Sequence, residues 1–391
     1  MNSMFKTTLN TCLLILLLLG NCWVLAANIH QSILPVDVSF LVVDMKYSKN
    51  KEVKICEIQN GYQSSFQGGR FSNGGTSLIA QNFMNELDKY YDKSWVKVRG
   101  MSDKELKNEF LNNKRWSTLG TNDDLIRDPI FLSNASKAVN DRNDLQSYHG
   151  FVFLKPNKSD HGEEFRKKYP GVVVIDSAVN PYSWDKQKMS SLLRGNPLTE
   201  KHKPKWGFYQ TKYEPDLAEK INRDIGSSML VIKPINAFKG NGVIIVKKED
   251  LNRVLKYILD NEIEDLTDID DAAYDFWNSY TSDTFIVEEF IDSEPIAVPH
   301  LENKLYCPTL RLAFLLTYNK QKIEIICLGG YYKFPEKALS EEGSLNEKYK
   351  TCCEPPFYSK PDPILMKDAE RQLKEVLHIV YQKMLGLIKS A

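Results

Sequence analysis

Apolar runs with strand character alternate along the chain with segments of helical periodicity. Near the N terminus, Val38 to Asp44 and Glu52 to Ile58 are apolar runs on either side of a polar turn, which predicts a β-hairpin. Between residues 77 and 175, amphipathic helical patterns alternate with short apolar runs. Strand-like runs dominate again between residues 229 and 328, and helical spacing over residues 368–389 predicts a closing helix. The pattern indicates a mixed fold of the α/β or α+β class.

Two segments interrupt this alternation. Asn60 to Thr76 is rich in Gly, Ser, Gln and Asn and shows neither period, so it is interpreted as a long loop of the kind that often closes on a substrate. Arg194 to Trp206 is rich in Lys and Pro and is interpreted as a linker. Beyond the first 27 residues, the chain is therefore divided into residues 28–200, with the hairpin and the loop, and residues 201–391.

The first 27 residues have a different composition. Lys6 precedes the apolar run Cys12 to Leu19, and the small-residue stretch Val24 to Ala27 follows, which is the layout of a secretory signal. The apolar run is shorter than the ~20 residues that span a bilayer. We expect an exported protein, secreted or periplasmic, cleaved near the end of that stretch. An uncleaved N-terminal anchor is the alternative, and it would be the chain's only contact with a membrane.

The charge balance argues against a general attraction for polyanions. Lys plus Arg number 51 and Asp plus Glu also number 51, so the formal net charge is zero. A chain of this composition has no global field that would draw nucleic acid or an anionic membrane to it. No nucleic-acid partner is expected, and any anion site has to be local.

The segment VIKPINAFKGNGVIIV, residues 231–246, is the strongest candidate for a local anion site. Two β-branched runs flank a turn that holds Gly240 and Gly242, with Lys233 at the end of the first run and Lys239 inside the turn. Glycines let backbone N–H groups approach phosphate oxygens closely, and lysine adds a compensating charge. The pattern indicates a phosphate-binding flap between two strands. Taken alone, it is equally compatible with an ordinary hairpin that has a glycine turn.

Candidate metal ligands lie far upstream in the predicted hairpin. Asp44 ends one strand, and Glu57, Gln59 and Asn60 lie at the end of its partner. Oxygen ligands that converge from neighbouring strands suit Mg²⁺, which binds through one or two carboxylates together with phosphate oxygens. Solvated carboxylates at strand ends are the alternative.

Further residues complete a resemblance to the ATP-grasp superfamily, whose members hold ATP between two α+β lobes. The segment FIVEEFIDSEP, residues 285–295, resembles the hinge at adenine and ribose, and Asp185-Lys186 resembles the helix start that supplies a second lysine. The resemblance implies that ATP is the cofactor, together with Mg²⁺. The implied phosphate ligands are Lys186 and Lys233, with the flap residues Lys239, Gly240 and Gly242. The implied base and ribose contacts are Glu288, the backbone of Glu289 and Ile291, and Glu294.

The order of these motifs resembles the circularly permuted ATP-grasp proteins, in particular the synthetase domain of glutathionylspermidine synthetase and its uncharacterised relatives. In those proteins an Asp and a Glu-x-Asn precede the flap, as Asp44 and Glu57 do here. The chain departs from the pattern in that Gln59 stands where Asn is expected, so either Gln59 binds the metal or the register shifts to Asn60. No arginine stands beside Asp44, so substrate preferences are not transferable.

Two arginines are further candidates for catalysis. Arg311 lies in an apolar strand, where an unpaired charge is costly, so it is expected to meet phosphate or a structural carboxylate. Arg70, in the predicted loop, is the candidate anchor for a substrate carboxylate. Together with Lys233, these residues lead to the hypothesis of an ATP-dependent ligase that joins a small-molecule or peptide carboxylate to an amine through an acyl phosphate. The alternatives are a nucleotide-binding module without turnover and an exported kinase or protein modifier.

Overall fold

A computed structural model describes residues 35–61, 63–97, 104–119, 124, 127–135, 151–153, 169, 171–183, 185–260 and 272–389. The segment interpreted as a signal lies outside the described residues. The strands are β1 Asp37–Tyr47, β2 Val53–Asn60, β3 Ser94–Lys97, β4 Trp116–Leu119, β5 Phe151–Phe153, β6 Val173–Val174, β7 Trp206–Gln210, β8 Met229–Pro234, β9 Ile244–Lys247, β10 Thr284–Glu289, β11 Ile296–Val298, β12 Lys304–Tyr306, β13 Thr309–Tyr318, β14 Ile323–Lys333 and β15 Tyr358–Ser359.

Helices flank these strands throughout the described chain. They are α1 Gln63–Ser72, α2 Leu78–Leu87, α3 Lys104–Asn112, α4 Pro129–Ala135, α5 Lys186–Ser191, α6 Pro197–Lys201, α7 Leu217–Ile225, α8 Leu251–Asp260, α9 Ala272–Asp275, α10 Leu345–Tyr349 and α11 Pro363–Met384. Short 3₁₀ turns lie at Lys248–Asp250 and Phe276–Ser279. Within the described part of the chain, no helix is both long enough and apolar enough to cross a membrane.

An antiparallel sheet of five strands joins the two ends of the described chain. Its order is β15-β14-β13-β1-β2. The predicted hairpin is confirmed as β1 paired with β2, and β1 also pairs with β13, more than 260 residues away. The sheet therefore draws strands from both sides of the boundary expected at residue 200. Its register places Asp44 between Glu57 on β2 and Arg311 on β13.

A second antiparallel sheet has four strands in the order β7-β10-β8-β9. It contains the predicted flap, because β8 and β9 pair from Met229↔Lys247 to Ile232↔Ile244 and the glycine turn connects them. Strand β10 ends with the predicted hinge and runs antiparallel to β8. A parallel sheet, β4-β3-β5-β6, and a short pair, β11-β12, complete the described strands.

Three apolar clusters hold these layers in place. On one face of the five-stranded sheet, Met45 and Leu312 pack with the apolar stripe of α11, which includes Leu377. On the other face, Phe40 stacks on Phe66 of α1 at a centroid distance of 5.1 Å, and α2 continues this cluster. The third cluster lies between the four-stranded sheet and helices α7 and α8. Burying large apolar side chains on both faces fixes the register of the sheet, since a one-residue slip would expose them.

The interpretation of Asn60 to Thr76 as a loop is wrong, because ten of these residues form helix α1. The helix is stabilised by tertiary packing rather than by its own periodicity. Phe66 is almost fully buried, and a Cβ added at Gly68 would meet the ring of Tyr331. Gly68 thus permits close contact with the sheet, and Gly69 permits close contact with Ile79 of α2, which are roles that composition alone does not reveal.

The interpretation of Arg194 to Trp206 as a linker is also wrong in its middle part. Asn196 caps helix α6, and its side chain accepts hydrogen bonds from the N–H groups of Leu198 and Thr199. The following residues His202 and Lys203 are buried against the five-stranded sheet. A polar composition therefore conceals a segment that is packed into the fold.

Candidate functional site

A cleft lies between the five-stranded sheet and the four-stranded sheet. One wall, named here the β1 wall, consists of residues of β1, β2, β13 and β14. The other, named the flap wall, consists of residues of β8, β9, β10, the glycine turn and helix α5. The charged residues that line the cleft are Asp44, Lys46, Glu57, Lys186, Lys233, Lys239, Glu288, Glu289, Lys333 and Lys350. Charged side chains of both signs thus line a partly enclosed space.

The glycine turn of the flap has the backbone that its sequence predicts. Lys239, Gly240 and Gly242 all have positive φ, at +59°, +76° and +68°. A Cβ at Gly242 would lie within 2.6 Å of the Phe276 ring and the Pro234 side chain. Gly242 therefore serves the packing of the turn, while Lys239 and Gly240 line the cleft. The carbonyl of Gly242 also accepts a hydrogen bond of 3.0 Å from the Trp277 indole.

The outer edge of the flap is attached to the C-terminal part of the chain. The N–H of Ile245 on β9 donates a 2.8 Å hydrogen bond to the Asn346 side chain of α10. This contact satisfies a donor on the strand at the edge of the sheet as it is described. The α10 segment also contributes Tyr349, Lys350 and Thr351 to the cleft lining.

Glu288 is a buried carboxylate shared by two lysines. Its two oxygens accept hydrogen bonds from Lys203 and Lys233, each at 2.5 Å. Burial by itself would raise the pKa of Glu288, but the two ammonium groups outweigh burial and hold the pKa below its ordinary value. Glu288 is therefore ionised, and it fixes the direction of the Lys233 side chain on the flap wall. The two residues that follow Glu288 are also held in place. The N–H of Lys205 donates to the Glu289 carboxylate, and the N–H of Phe290 donates to the carbonyl of Met229.

Lys186 begins helix α5, as the sequence predicts. The Asp185 carboxylate caps the helix by accepting from the N–H groups of Gln187 and Lys188, at 2.9 and 3.0 Å. The Lys186 ammonium donates to the carbonyl of Ala237 in the flap, and it lies 3.2 Å from the Glu57 carboxylate of β2. This lysine therefore joins the flap to the β1 wall across the cleft.

Asp44 forms a buried ion cluster on the β1 wall. Arg311 donates two parallel hydrogen bonds to its carboxylate, at 2.5 and 2.6 Å, and Lys333 donates a third at 3.3 Å. Burial would raise the pKa of Asp44, but Arg311 and Lys333 together hold it well below its usual range. Of the two partners expected for Arg311, phosphate or a structural carboxylate, the structure shows the carboxylate, which is that of Asp44. Two cations on one carboxylate leave this cluster with a net positive charge.

The predicted hinge residues Glu289 and Ile291 line the cleft beside Phe290. The Phe290 and Tyr349 rings meet edge to face at 5.0 Å, which gives this end of the cleft an apolar, aromatic wall. Glu294 is exposed and does not line the cleft, although its N–H donates to the carbonyl of Tyr47 at 3.3 Å. The hinge is thus attached directly to the end of β1.

The structure does not bring all candidate residues together. Gln59 pairs with Val42 and shares a face of the sheet with Asp44 and Glu57, whereas Asn60 lies on the opposite face. There the Asn60 amide donates to Asp176 at 3.2 Å. Arg70 lies in the last turn of α1 and does not line the cleft. Neither amide lines the cleft, and the register places only Gln59 on the face that carries Asp44 and Glu57.

Sequence reasoning missed several residues of the site. Lys203 was assigned to a linker, and Tyr349 and Lys350 follow no recognised motif. Lys46 was overlooked although it lies two residues after Asp44, which places it on the same face of an alternating strand. That spacing was the available signal. A lysine in a strand is usually taken as solvent-exposed, and here it is 7% exposed.

The donor set of the cleft fits a magnesium ion only in part. Within the described residues, no three His, Cys, Asp or Glu side chains converge as a metal cluster. Glu57 fits best, because it is partly exposed and lines the cleft, where its one salt-bridge partner among the described residues is Lys186. Asp44 is a poorer ligand because Arg311 and Lys333 already occupy it. Mg²⁺ often binds through one carboxylate with waters and phosphate oxygens, so Glu57 alone meets that requirement.

No protein-family model and no curated protein matches the chain. Similar solved structures include a protein described as a candidate gamma-glutamylcysteine synthetase from Methylobacillus flagellatus KT, at 8% identity and a TM-score of 0.43 over 90% of each chain. A D-alanyl-alanine synthetase A from Vibrio cholerae is 12% identical, with a TM-score of 0.35 over 74% of this chain and 81% of that one. A glutathione synthetase-like effector from Globodera pallida is 12% identical, with a TM-score of 0.38 over 77% and 74%.

These similarities are distant, with TM-scores below 0.5, so the interpretation of the cleft rests on its own geometry. The predicted fold class is confirmed: strands and helices mix, and two antiparallel sheets with flanking helices enclose a cleft. The flap, the two lysines before it and the hinge all line that cleft. This is the two-lobed arrangement expected of an ATP-grasp fold.

Proposed function

We propose that the cleft binds ATP between its two walls and transfers the terminal phosphoryl group to a carboxylate. The observation that carries the proposal is the position of the glycine flap. Lys239 and Gly240 cover a cleft into which Lys186 and Lys233 project from the same wall. Backbone N–H groups and ammonium groups that converge in a partly enclosed space suit a polyphosphate.

The two ends of the cleft suit the two ends of a nucleotide. Phe290, Ile291 and Tyr349 offer an apolar wall for a base, and the backbone of Glu289 offers polar groups at its edge. Glu288 orients Lys233 towards the phosphates. In this assignment the base lies at the hinge and the phosphates extend towards the flap. Glu294, which is exposed, remains a predicted ribose contact.

Magnesium is proposed to bind with the nucleotide, held by Glu57 and, as further predicted ligands, Asp44 and Gln59. When bound, the ion would neutralise phosphate charge. The chain's own cations contribute the same kind of stabilisation, because phosphoryl transfer depends mainly on positioning and on neutralising the transferred group. Lys333 lines the β1 wall and is placed for that role. Arg311 is bound to Asp44 and does not itself line the cleft, so its contact with the transferred group remains a prediction.

The proposed reaction is the ATP-dependent ligation of a carboxylate to an amine. A carboxylate oxygen attacks the γ-phosphorus, and ADP leaves. The amine nitrogen then attacks the acyl carbon and releases inorganic phosphate. The role of Arg70 as a carboxylate anchor remains a prediction, because this residue lies away from the cleft.

The chain order is proposed to be that of a circularly permuted ATP-grasp protein. The support is the five-stranded sheet, in which the N-terminal strands β1 and β2 pair next to the C-terminal strands β13 and β14. The specific likeness to the synthetase domain of glutathionylspermidine synthetase remains a prediction.

Calorimetry with ATP and Mg²⁺ tests nucleotide binding. The purified protein is expected to bind ATP, and Lys233→Ala is expected to bind at least ten times more weakly because it removes a charge-assisted phosphate contact. Lys212→Ala is the matched control, since Lys212 follows strand β7 of the same sheet and is exposed. Equal binding by wild type and Lys233→Ala would refute the proposed phosphate site.

Turnover is tested by hydroxylamine trapping. A panel of amino acids and small dicarboxylates, incubated with ATP, Mg²⁺ and hydroxylamine, should give ATP-dependent hydroxamate with one or more members if an acyl phosphate forms. A second candidate function, nucleotide binding without turnover, is favoured by the occupation of Asp44 by Arg311 and Lys333. ATP binding without hydroxamate or ADP release for any carboxylate and amine pair would support that second function.

Export by residues 1–27 is proposed from their sequence pattern, with a membrane anchor as the alternative. Expression of the full chain in a secreting host, followed by N-terminal sequencing of the product, distinguishes the two. A new N terminus near residue 27 in the soluble fraction supports cleavage, whereas an intact chain in the membrane fraction supports an anchor.

A further inference from the structure

Lys46 is a buried lysine that forms no salt bridge within the described part of the chain, and the charge of Asp292 acts on it only from beyond salt-bridge distance. Its side chain is 7% exposed, and its ammonium donates one hydrogen bond, of 3.1 Å, to the carbonyl of Pro308. Among the described residues, no carboxylate forms a salt bridge with it. Asp44, the acidic residue nearest along the strand, is already bound by Arg311 and Lys333. Burying an ammonium that has no directly paired carboxylate is unfavourable, so this lysine requires an explanation.

The position of Lys46 relates the hinge to the ion cluster of Asp44. Lys46 lines the cleft two residues beyond Asp44. The next residue, Tyr47, accepts a hydrogen bond at its carbonyl from the N–H of the hinge residue Glu294. The carbonyl that Lys46 contacts, that of Pro308, also accepts a hydrogen bond of 2.7 Å from the hydroxyl of Ser293. Its ammonium is therefore held beside the hinge rather than at the tip of the flap.

We propose that Lys46 binds the phosphate of the nucleotide that is nearest to the ribose. This inference rests on the proposed function, which places the base at the hinge and the phosphate chain towards the flap. A nucleotide in that orientation brings its α-phosphate past Lys46, while Lys186 and Lys239, on the flap wall, meet the phosphates farther from the base. The α-phosphate would give the Lys46 ammonium the direct ion pair that no described carboxylate provides.

The assignment predicts a specific dependence on phosphate number. Lys46→Met preserves the length of the side chain and removes its charge. It is expected to weaken AMP, ADP and ATP binding by the same factor, about tenfold, because each carries one α-phosphate. Adenosine binding should not change. Lys239→Met should show a different pattern, weakening ATP more than ADP and ADP more than AMP.

Binding constants for adenosine, AMP, ADP and ATP, measured by calorimetry without Mg²⁺ and again with it, test this. Lys54→Met is the matched control, because Lys54 is the register partner of Lys46 on β2 and donates outside the cleft, to the carbonyl of Lys201. Lys46→Arg, which keeps the charge, should restore part of the AMP affinity. This variant separates loss of charge from a defect in folding.

Two results would overturn the inference while leaving the proposed function in place. The first is unchanged AMP and ATP binding by Lys46→Met, with reduced formation of hydroxamate at low carboxylate concentration, which would assign the lysine to the acceptor substrate. The second is equal weakening of adenosine and AMP, which would assign it a structural role. If the wild-type protein binds none of the four ligands, the proposed function fails and the inference fails with it.

Discussion

The two ends of strand β1 carry buried carboxylates in opposite environments. At the C-terminal end, Asp44 is bound by Arg311 and Lys333 and lines the cleft. At the N-terminal end, Asp37 and the nearby Asp176 accept hydrogen bonds from hydroxyl, amide and backbone N–H groups. One end has an excess of positive charge, and the other has carboxylates satisfied by neutral donors.

The pKa of each carboxylate follows its environment. Cations hold the pKa of Asp44 low despite its burial. Burial raises the pKa of Asp176 well above its ordinary value, and the nearby Asp37 raises it further, against hydrogen bonds from Phe40 and Asn60. A buried carboxylate with neutral donors serves to connect parts of the fold, here β1 with the segment around residue 176 and with α11. A cluster with surplus cations, open to a cleft, is suited to bind an anion.

The largest effect is expected from Arg311→Met. This change leaves Asp44 buried with Lys333 as its one remaining cationic partner, and breaking a buried pair in this way typically lowers the free energy of unfolding by about 3–5 kcal/mol. Urea denaturation measures the change. Arg371→Met removes an exposed arginine that pairs with Asp368, and it should leave the midpoint almost unchanged. Similar stability of both variants would show that the Asp44 cluster contributes little to the fold.

A smaller loss of stability is expected from Tyr381→Phe at the other end of β1. The Tyr381 hydroxyl donates a 2.5 Å hydrogen bond to Asp37, and hydrogen bonds to carboxylates contribute about 1.5–3 kcal/mol. Urea denaturation should show a loss of that order, with no effect on ATP affinity. Tyr318→Phe, in which the lost contact is a 3.4 Å bond to a loop carbonyl, is the matched control. A loss of ATP binding in Tyr381→Phe would contradict the claim that the Asp37 end of β1 serves the fold and not the cleft.

The contributions of Asp44 and Asp176 to the free energy of unfolding should change with pH in opposite directions. The folded pKa of Asp44 is lowered, so its contribution to stability is present above the unfolded value of about 4 and is lost as the pH falls below it. The folded pKa of Asp176 is raised, so its contribution is present below about 4 and is lost as the pH rises. The smallest expected effect, on the order of 1 kcal/mol at pH 7, is a gain in stability for Asp176→Asn.

Unfolding free energies between pH 3 and pH 8 test this contrast. The deficit of Asp44→Asn relative to wild type should shrink as the pH falls below 4. The gain of Asp176→Asn relative to wild type should grow as the pH rises above 4. Parallel curves for wild type and both variants would contradict the assigned protonation states.

Local sequence patterns predicted the parts of the fold that depend on neighbours in sequence. The β1-β2 hairpin and the β8-β9 flap were predicted because each joins two strands through one turn. The pairing of β1 with β13 was not, since nothing in either strand specifies a partner 260 residues away. Helix α1 was mistaken for a loop because its stability comes from the burial of Phe66 and from Gly68, which fits against Tyr331.

The same limit applies to the site. Lysines next to glycines or to an Asp-Lys helix start were identified from motifs, whereas Lys46 and Lys203 owe their roles to burial against distant residues. Asn60 was a metal candidate because it follows Glu57 closely, yet strand alternation directs it to the other face. Partners brought together by long-range pairing are visible only in the folded chain.

The most direct test of the account is the effect of ATP on the unfolding of three proteins. Urea denaturation is measured with and without ATP and Mg²⁺ for wild type, Asp176→Asn and Lys233→Ala. At an ATP concentration one hundred times the wild-type Kd, wild type and Asp176→Asn should each gain about 2.7 kcal/mol, and Lys233→Ala should gain much less. No gain in wild type, or an equal gain in Lys233→Ala, would contradict the assignment of the cleft as a nucleotide site.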